Sequence, residues 1–109
     1  MRAYELMVIF DGDLDDSDAG KASDRVQAQA TENGSSIAKS DWWGRRKFAY
    51  EIDHKVEGYY LVLELTSENG SFISELDRSL RLADDVVRHK LLRLPDHEAA
   101  KRGLIGAAS

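Results

Sequence analysis

Apolar and polar residues alternate over residues 2–10. Tyr4, Leu6, Val8 and Phe10 fall on one side, and Met7 and Ile9 on the other. A period of two predicts a strand with one buried face. Residues 11–18 are rich in Asp and Gly, the chemistry of a turn. Ala19, Ala22, Val26 and Ala30 then recur at steps of three and four, a narrow helical stripe. Asp15, Asp16 and Asp18 stand near its start, where the helix dipole favours acids, and Asn33-Gly34 ends it. A long second strand over 35–52 shows clean alternation at Phe48, Tyr50 and Ile52. Trp42-Trp43-Gly44 interrupts that strand, and Gly44 predicts a bulge or bend. A short polar link predicts a hairpin into a third strand over 58–66, with Leu61, Leu63 and Leu65 on one side and Tyr60, Val62 and Glu64 on the other. Phe72, Ile73, Leu76, Leu80 and Ala83 make a second helical stripe, with Ser71 as its cap. A last strand covers 86–94.

The order is strand, helix, strand, strand, helix, strand. It predicts an α+β, ferredoxin-like split β-α-β fold: a four-stranded antiparallel sheet with two helices on one face. The domain spans 1–94. Residues 95–109 have no apolar periodicity and are expected to form a flexible C-terminal tail. Val8, Phe10, Val26, Ala30, Leu61, Leu63, Leu65, Leu76 and Leu80 make the expected core. Met7, Ile9, Tyr60 and Val62 fall on the face without helices, where four apolar groups side by side suggest a surface for a protein partner.

Charge changes this picture. The 109 residues carry 15 basic and 20 acidic groups, a net of -5. Residues 1–34 hold the whole excess, with 3 basic and 8 acidic residues. Two short segments of the neutral remainder are basic: Lys39, Arg45, Arg46 and Lys47 in one, and Arg88, Lys90 and Arg93 in the other. A polyanion responds to such local patches more than to the total.

Recognisable catalytic chemistry is missing from the sequence. There is no cysteine, and a reducing, cytoplasmic compartment is the expectation. Apolar runs of five residues are too short to span a membrane. Asp11, Asp13 and Asp15 have the opening spacing of a calcium loop, but Asp16 and Ala22 occupy the positions that demand Gly and Glu. His54, His89 and His97 lack metal-ligand spacing. No nucleophile elbow or phosphate-binding glycine loop occurs. The strand of RNA-recognition modules would align with residues 57–64, but only Gly58, Tyr59 and Val62 fit. The expectation is therefore no enzyme, cofactor, metal or small-molecule substrate. A ferredoxin-like small-molecule-binding domain, or a module that pairs with itself through the open face, stays as an alternative.

The residues also resemble a known family. Asp41-Trp42-Trp43-Gly44-Arg45-Arg46-Lys47-Phe48-Ala49-Tyr50-Glu51-Ile52 is similar to the W-G-x-R-x-L-A-Y-x-I motif of the bacterial small-subunit ribosomal protein S-six family, with Phe48 in place of Leu. The opening Met1-Arg2-Ala3-Tyr4-Glu5, the Gly58-Tyr59-Tyr60 start of the third strand, and residues 76–93 resemble the same family. The resemblance implies a structural, non-catalytic role in the cytoplasmic ribosome. It implies binding to small-subunit ribosomal RNA together with ribosomal protein S-eighteen. With the local charge, it makes Arg2, Tyr4, Arg45, Arg46, Lys47, Arg88, Lys90 and Arg93 the expected RNA side, although strand parity puts Arg46 and Arg93 with the core-facing set. Met7, Ile9, Tyr60 and Val62, flanked by Trp42, become the expected seat of the protein partner.

Overall fold

A computed structural model describes residues 1–106. Its elements are β1 (Arg2–Asp11), α1 (Asp16–Glu32), β2 (Ser36–Ile52), β3 (Lys55–Ser67), α2 (Ile73–Leu82), β4 (Val86–Arg93) and α3 (Asp96–Lys101). The strands form one antiparallel sheet in the order β2-β3-β1-β4, the ferredoxin-like arrangement. β2 and β4 are therefore opposite edges.

Each element follows from its residues. The Asp15 side chain accepts the Asp18 amide at 2.7 Å and caps α1. Gly34, at φ 101°, lets the chain leave that helix. Ala19, Ala22, Val26 and Ala30 bury the helix stripe against Val8, Phe10, Leu61, Leu63 and Leu65, and Leu76 and Leu80 of α2 complete the same cluster. All nine expected core residues are buried in it, and Tyr4, Leu6, Ala19, Ala22, Tyr59 and Phe72 join them. Ser71 does not cap α2: Phe72 holds the cap position without a side-chain bond, while Asn69 accepts the Ser71 amide at 2.8 Å.

Two further features depart from expectation. β2 and β3 run on as a ribbon beyond β1, closed by Asp53 and His54 at φ 48° and 64°. Two successive positive φ values make a tight hairpin turn of the kind that matches strand twist. The expected five-residue link is thus mostly strand. The second departure concerns the segment expected to be a flexible tail. Asp96–Lys101 is helical, and Ala99 is fully buried against Ala3 and Leu94. A six-residue helix anchored by one alanine has no periodicity to read. It lies across the face opposite α1 and α2. Residues 107–109 lie outside the described residues.

Candidate functional site

The Trp42-Trp43-Gly44 bulge decides where the basic residues of β2 point. Trp42 stands opposite Leu61, while Gly44, at φ 79°, stands opposite Tyr60. Trp43 is the extra residue, and alternation reverses across it. Each face consequently receives one tryptophan and one arginine. On the helix face Trp42 stacks on Tyr59 at 5.8 Å, and the Arg45 guanidinium lies 5.0 Å from the same ring. On the open face Trp43 stacks on Tyr60 at 5.5 Å and 13°, and Arg46 lies 5.7 Å from Trp43.

This corrects two expectations about the partner face and its charge. Trp42 does not flank Tyr60, because it lies through the sheet on the other side; Trp43 takes that place. Arg46 is not core-facing, and it caps the open-face stack. The bulge shifts both by one residue. Phe48 also joins the open face, edge-on to Tyr60 at 6.2 Å.

Arg45 is tied into the fold. It donates to the Leu14 carbonyl at 3.1 Å and to the Tyr59 hydroxyl. That hydroxyl lies 2.8 Å from the Leu14 carbonyl and 3.1 Å from the Asp16 carboxylate. Burial, then the Asp16 contact, push the Tyr59 phenol above its ordinary range. The acidic start of α1 thus surrounds Arg45, and Lys47 stands opposite Glu57. Asp11 and Asp13 grip Lys55, each at 3.2 Å.

Tyr4 is also corrected. It is only 1% exposed, packed edge-on against Phe72 at 5.0 Å, so its ring belongs to the core. Even-numbered positions of β1 face the helices, and Tyr4 is one of them.

The other edge differs. In register, Arg88 stands beside Ile9 and Lys90 beside Met7. Ile9 pairs with Tyr60 and Met7 with Val62. Directly opposed residues share a face, so the four expected partner residues adjoin Arg88 and Lys90 on the open face. Met7, Ile9, Arg88, His89 and Lys90 line a shallow cleft of about 110 Å³. No acidic partner lies within ion-pair distance of Arg88 or Lys90 among the described residues. His89 turns to the helix side, where it meets Asp77 at 2.7 Å and holds that carboxyl below its usual range. Arg93 is on the helix side too, opposite Tyr4, with Asp96 at 3.5 Å. Arg2 is exposed at the strand start, near the β3–α2 turn. The eight expected RNA residues are therefore not one patch. Arg2, Arg88, Lys90 and Arg93 lie on β1 and β4, and Arg45, Arg46 and Lys47 on β2, at the opposite edge of the sheet from β4.

The family described as Ribosomal protein S6 matches residues 3–93. The chain belongs to that family. A relative from Saccharopolyspora erythraea, "Small ribosomal subunit protein bS6", is 47% identical over 85% of this chain and 78% of its own. The protein of that name from Mycolicibacterium paratuberculosis is 41% identical over 89% of this chain and 100% of its own. The crystal structure of 30S ribosomal protein S6 from Thermotoga maritima superposes with a TM-score of 0.85 and 29% identity, over 94% of this chain and 95% of that one. The C-terminal domain of the MgtC protein from Mycobacterium tuberculosis has a TM-score of 0.56 at 11% identity, over 86% of this chain and 88% of that one, and shares the fold alone. As a member of the ribosomal protein S6 family, the chain is a non-enzymatic component of the small ribosomal subunit in the cytoplasm.

Proposed function

We propose that the chain binds small-subunit ribosomal RNA together with ribosomal protein S-eighteen, on one composite surface. S-eighteen sits on the open face over Met7, Ile9, Tyr60 and Val62, with Trp43 as an anchor. The RNA backbone runs along the β4 edge, where Arg88 and Lys90 meet phosphates and Arg2 and Arg93 extend the basic edge. The observation that supports this reading is the register: Arg88 and Lys90 of the β4 edge stand directly beside Ile9 and Met7 of the patch. A protein on the patch and a phosphate on the edge would touch each other, so binding of one favours the other. It is also compatible with an acidic chain, because Asp11, Asp13, Asp15, Asp16 and Asp18 gather at the β1–α1 turn and the start of α1 rather than beside Arg88 and Lys90. Phosphate contacts position the chain and read little sequence. Arg45, Arg46 and Lys47 contribute less, since Arg45 is bonded internally, Arg46 covers Trp43 and Lys47 faces Glu57.

The test is a titration of a small-subunit ribosomal RNA fragment with the chain and S-eighteen at several salt concentrations. Joint reversal, Arg88→Glu with Lys90→Glu, should weaken binding and reduce the salt slope by about 2. Reversal of Arg45 and Lys47 should change the slope by less than about 1. Equal slopes for both variants would refute the assignment of the β4 edge.

A further inference from the structure

We propose that the C-terminal segment 96–105 is a displaceable strap: it covers part of the partner-binding face, is latched there by Arg102, and lifts when a basic protein partner takes that face. The proposal rests on the reading of the open face as the seat of S-eighteen. Its starting point is a pair of acids. Glu5 and Glu64 stand directly opposite each other on the open face, an arrangement that is destabilising when left alone. Arg102 answers both, with Nη1 3.0 Å from Glu5 and 3.6 Å from Glu64, while its Nε donates to Glu98 at 2.9 Å. One oxygen of Glu64 is buried and has no hydrogen-bond partner among the described residues. The Arg102 guanidinium is the cation within ion-pair distance of it; Lys39 stands opposite Glu64 in register but forms no ion pair with it among the described residues.

The rest of the attachment is slight. Ala99 packs on Ala3 and Leu94, and Leu104 and Ile105 join that cluster while staying partly exposed. Gly103, at φ 75°, turns the chain so that the Leu104 amide reaches the Ala99 carbonyl at 2.9 Å. A segment held by a few small apolar contacts, Arg102 and an exposed Arg93–Asp96 pair at 3.5 Å belongs to the least stable end of a fold.

Its position creates the conflict. The Glu5–Glu64 row is two residues along the strands from the Met7–Val62 row, about 7 Å away. Where the sheet has four strands, the uncovered rows from Met7 to Ile9 make a patch of roughly 300 Å², and only the two-stranded β2–β3 ribbon continues the open face beyond it. A stable interface takes about 800 Å² from each partner. A partner that spreads over the sheet therefore reaches the rows beneath the strap. Lifting the strap uncovers Ala3, Leu94 and the carboxylate pair, which offers a basic partner the same seat that Arg102 now fills.

The experiment compares the full chain with Arg102→Gln. Amide exchange at Ala99 and Leu104 is followed with and without S-eighteen and the ribosomal RNA fragment, and binding is titrated for both proteins. Faster exchange in Arg102→Gln, faster exchange in the wild type on forming the complex, and about three- to tenfold tighter binding by the variant are expected. Slower exchange on forming the complex, with equal or weaker binding by Arg102→Gln, would mean that the partner runs along the hairpin or onto the strap itself, and would overturn the proposal. Absence of binding by either protein would overturn the open-face reading and the strap's role with it.

Discussion

Trp42, Arg45 and Tyr59 on one face, and Trp43, Arg46 and Tyr60 on the other, are the same three residue types in nearly the same arrangement. Each set has a tryptophan stacked on a tyrosine and an arginine over one of the two rings. Their surroundings separate them. The first set is closed by Phe10, the Leu14 carbonyl and Asp16, and Tyr59 is only 1% exposed. The second has Phe48 beside it, and its Tyr60 is only half-buried; the two tryptophans are exposed alike, Trp42 at 42% and Trp43 at 41%. The tyrosine and arginine are tied into the fold where Leu14 and the start of α1 meet them, and are without such bonds on the open face. A large aromatic pair left uncovered, beside Ile9 and Val62, is the composition of an interface centre.

The contrast can be broken most severely at the tyrosines. Tyr59→Ala should leave a cavity against Phe10 and strip Arg45 of its partner, and melting should fall by at least about 12 °C. Tyr60→Ala should melt within about 3 °C of the wild type but lose about 1–3 kcal/mol of binding to S-eighteen and RNA. Equal melting losses would show that both sets are structural.

The arginines give a smaller contrast. Arg45→Gln removes donors to Leu14 and Tyr59, and melting should drop by about 4–8 °C. Arg46→Gln should leave melting unchanged, since its guanidinium only covers an exposed ring. Differential scanning calorimetry of the two variants checks this.

The smallest effect lies away from both sets. Asp85 accepts two bonds from Arg25, at 2.7 and 2.6 Å, and that contact holds its carboxyl below the usual range. A lowered folded-state pKa means stability that is present above the unfolded value of about 3.9 and is lost as pH falls through the folded value. Both side chains are partly exposed, 41% for Arg25 and 24% for Asp85, so the loss should stay below about 1 kcal/mol. Denaturant melts between pH 6 and pH 2, at steps of about one unit, should show Asp85→Asn flattening this acid limb.

Much of this was legible in the sequence. Alternation in β1 and β3 assigns both faces correctly, because an uninterrupted period of two leaves no choice of register. The stripe of α1 likewise names its buried residues. The two errors in β2 share a physical origin in one extra residue. Gly44 announces a bulge but not which tryptophan is the surplus one, so Trp42 and Trp43 exchange faces, and Arg46 follows. Tyr4 carried its own signal, since it alternates with Leu6 and Val8. The separation of the two basic segments was legible too: the ferredoxin-like order makes β2 and β4 opposite edges, whereas local charge alone treats them as one patch. The α3 strap and Arg102 were not readable, because their contacts to Glu5 and Glu64 span more than thirty residues of chain and the helix is too short to show a stripe.

The central proposal is that S-eighteen covers the open face while RNA runs along the β4 edge. The chain has no cysteine, so a single introduced thiol reports one position without background. Val62→Cys and, as a control on the exposed side of α2, Glu75→Cys are alkylated in the free chain and in the complex with S-eighteen and the ribosomal RNA fragment. The account predicts that complex formation slows alkylation at position 62 by about tenfold or more and leaves position 75 unchanged. Equal rates at position 62 in the free and bound chain, or protection at position 75 instead, would contradict it.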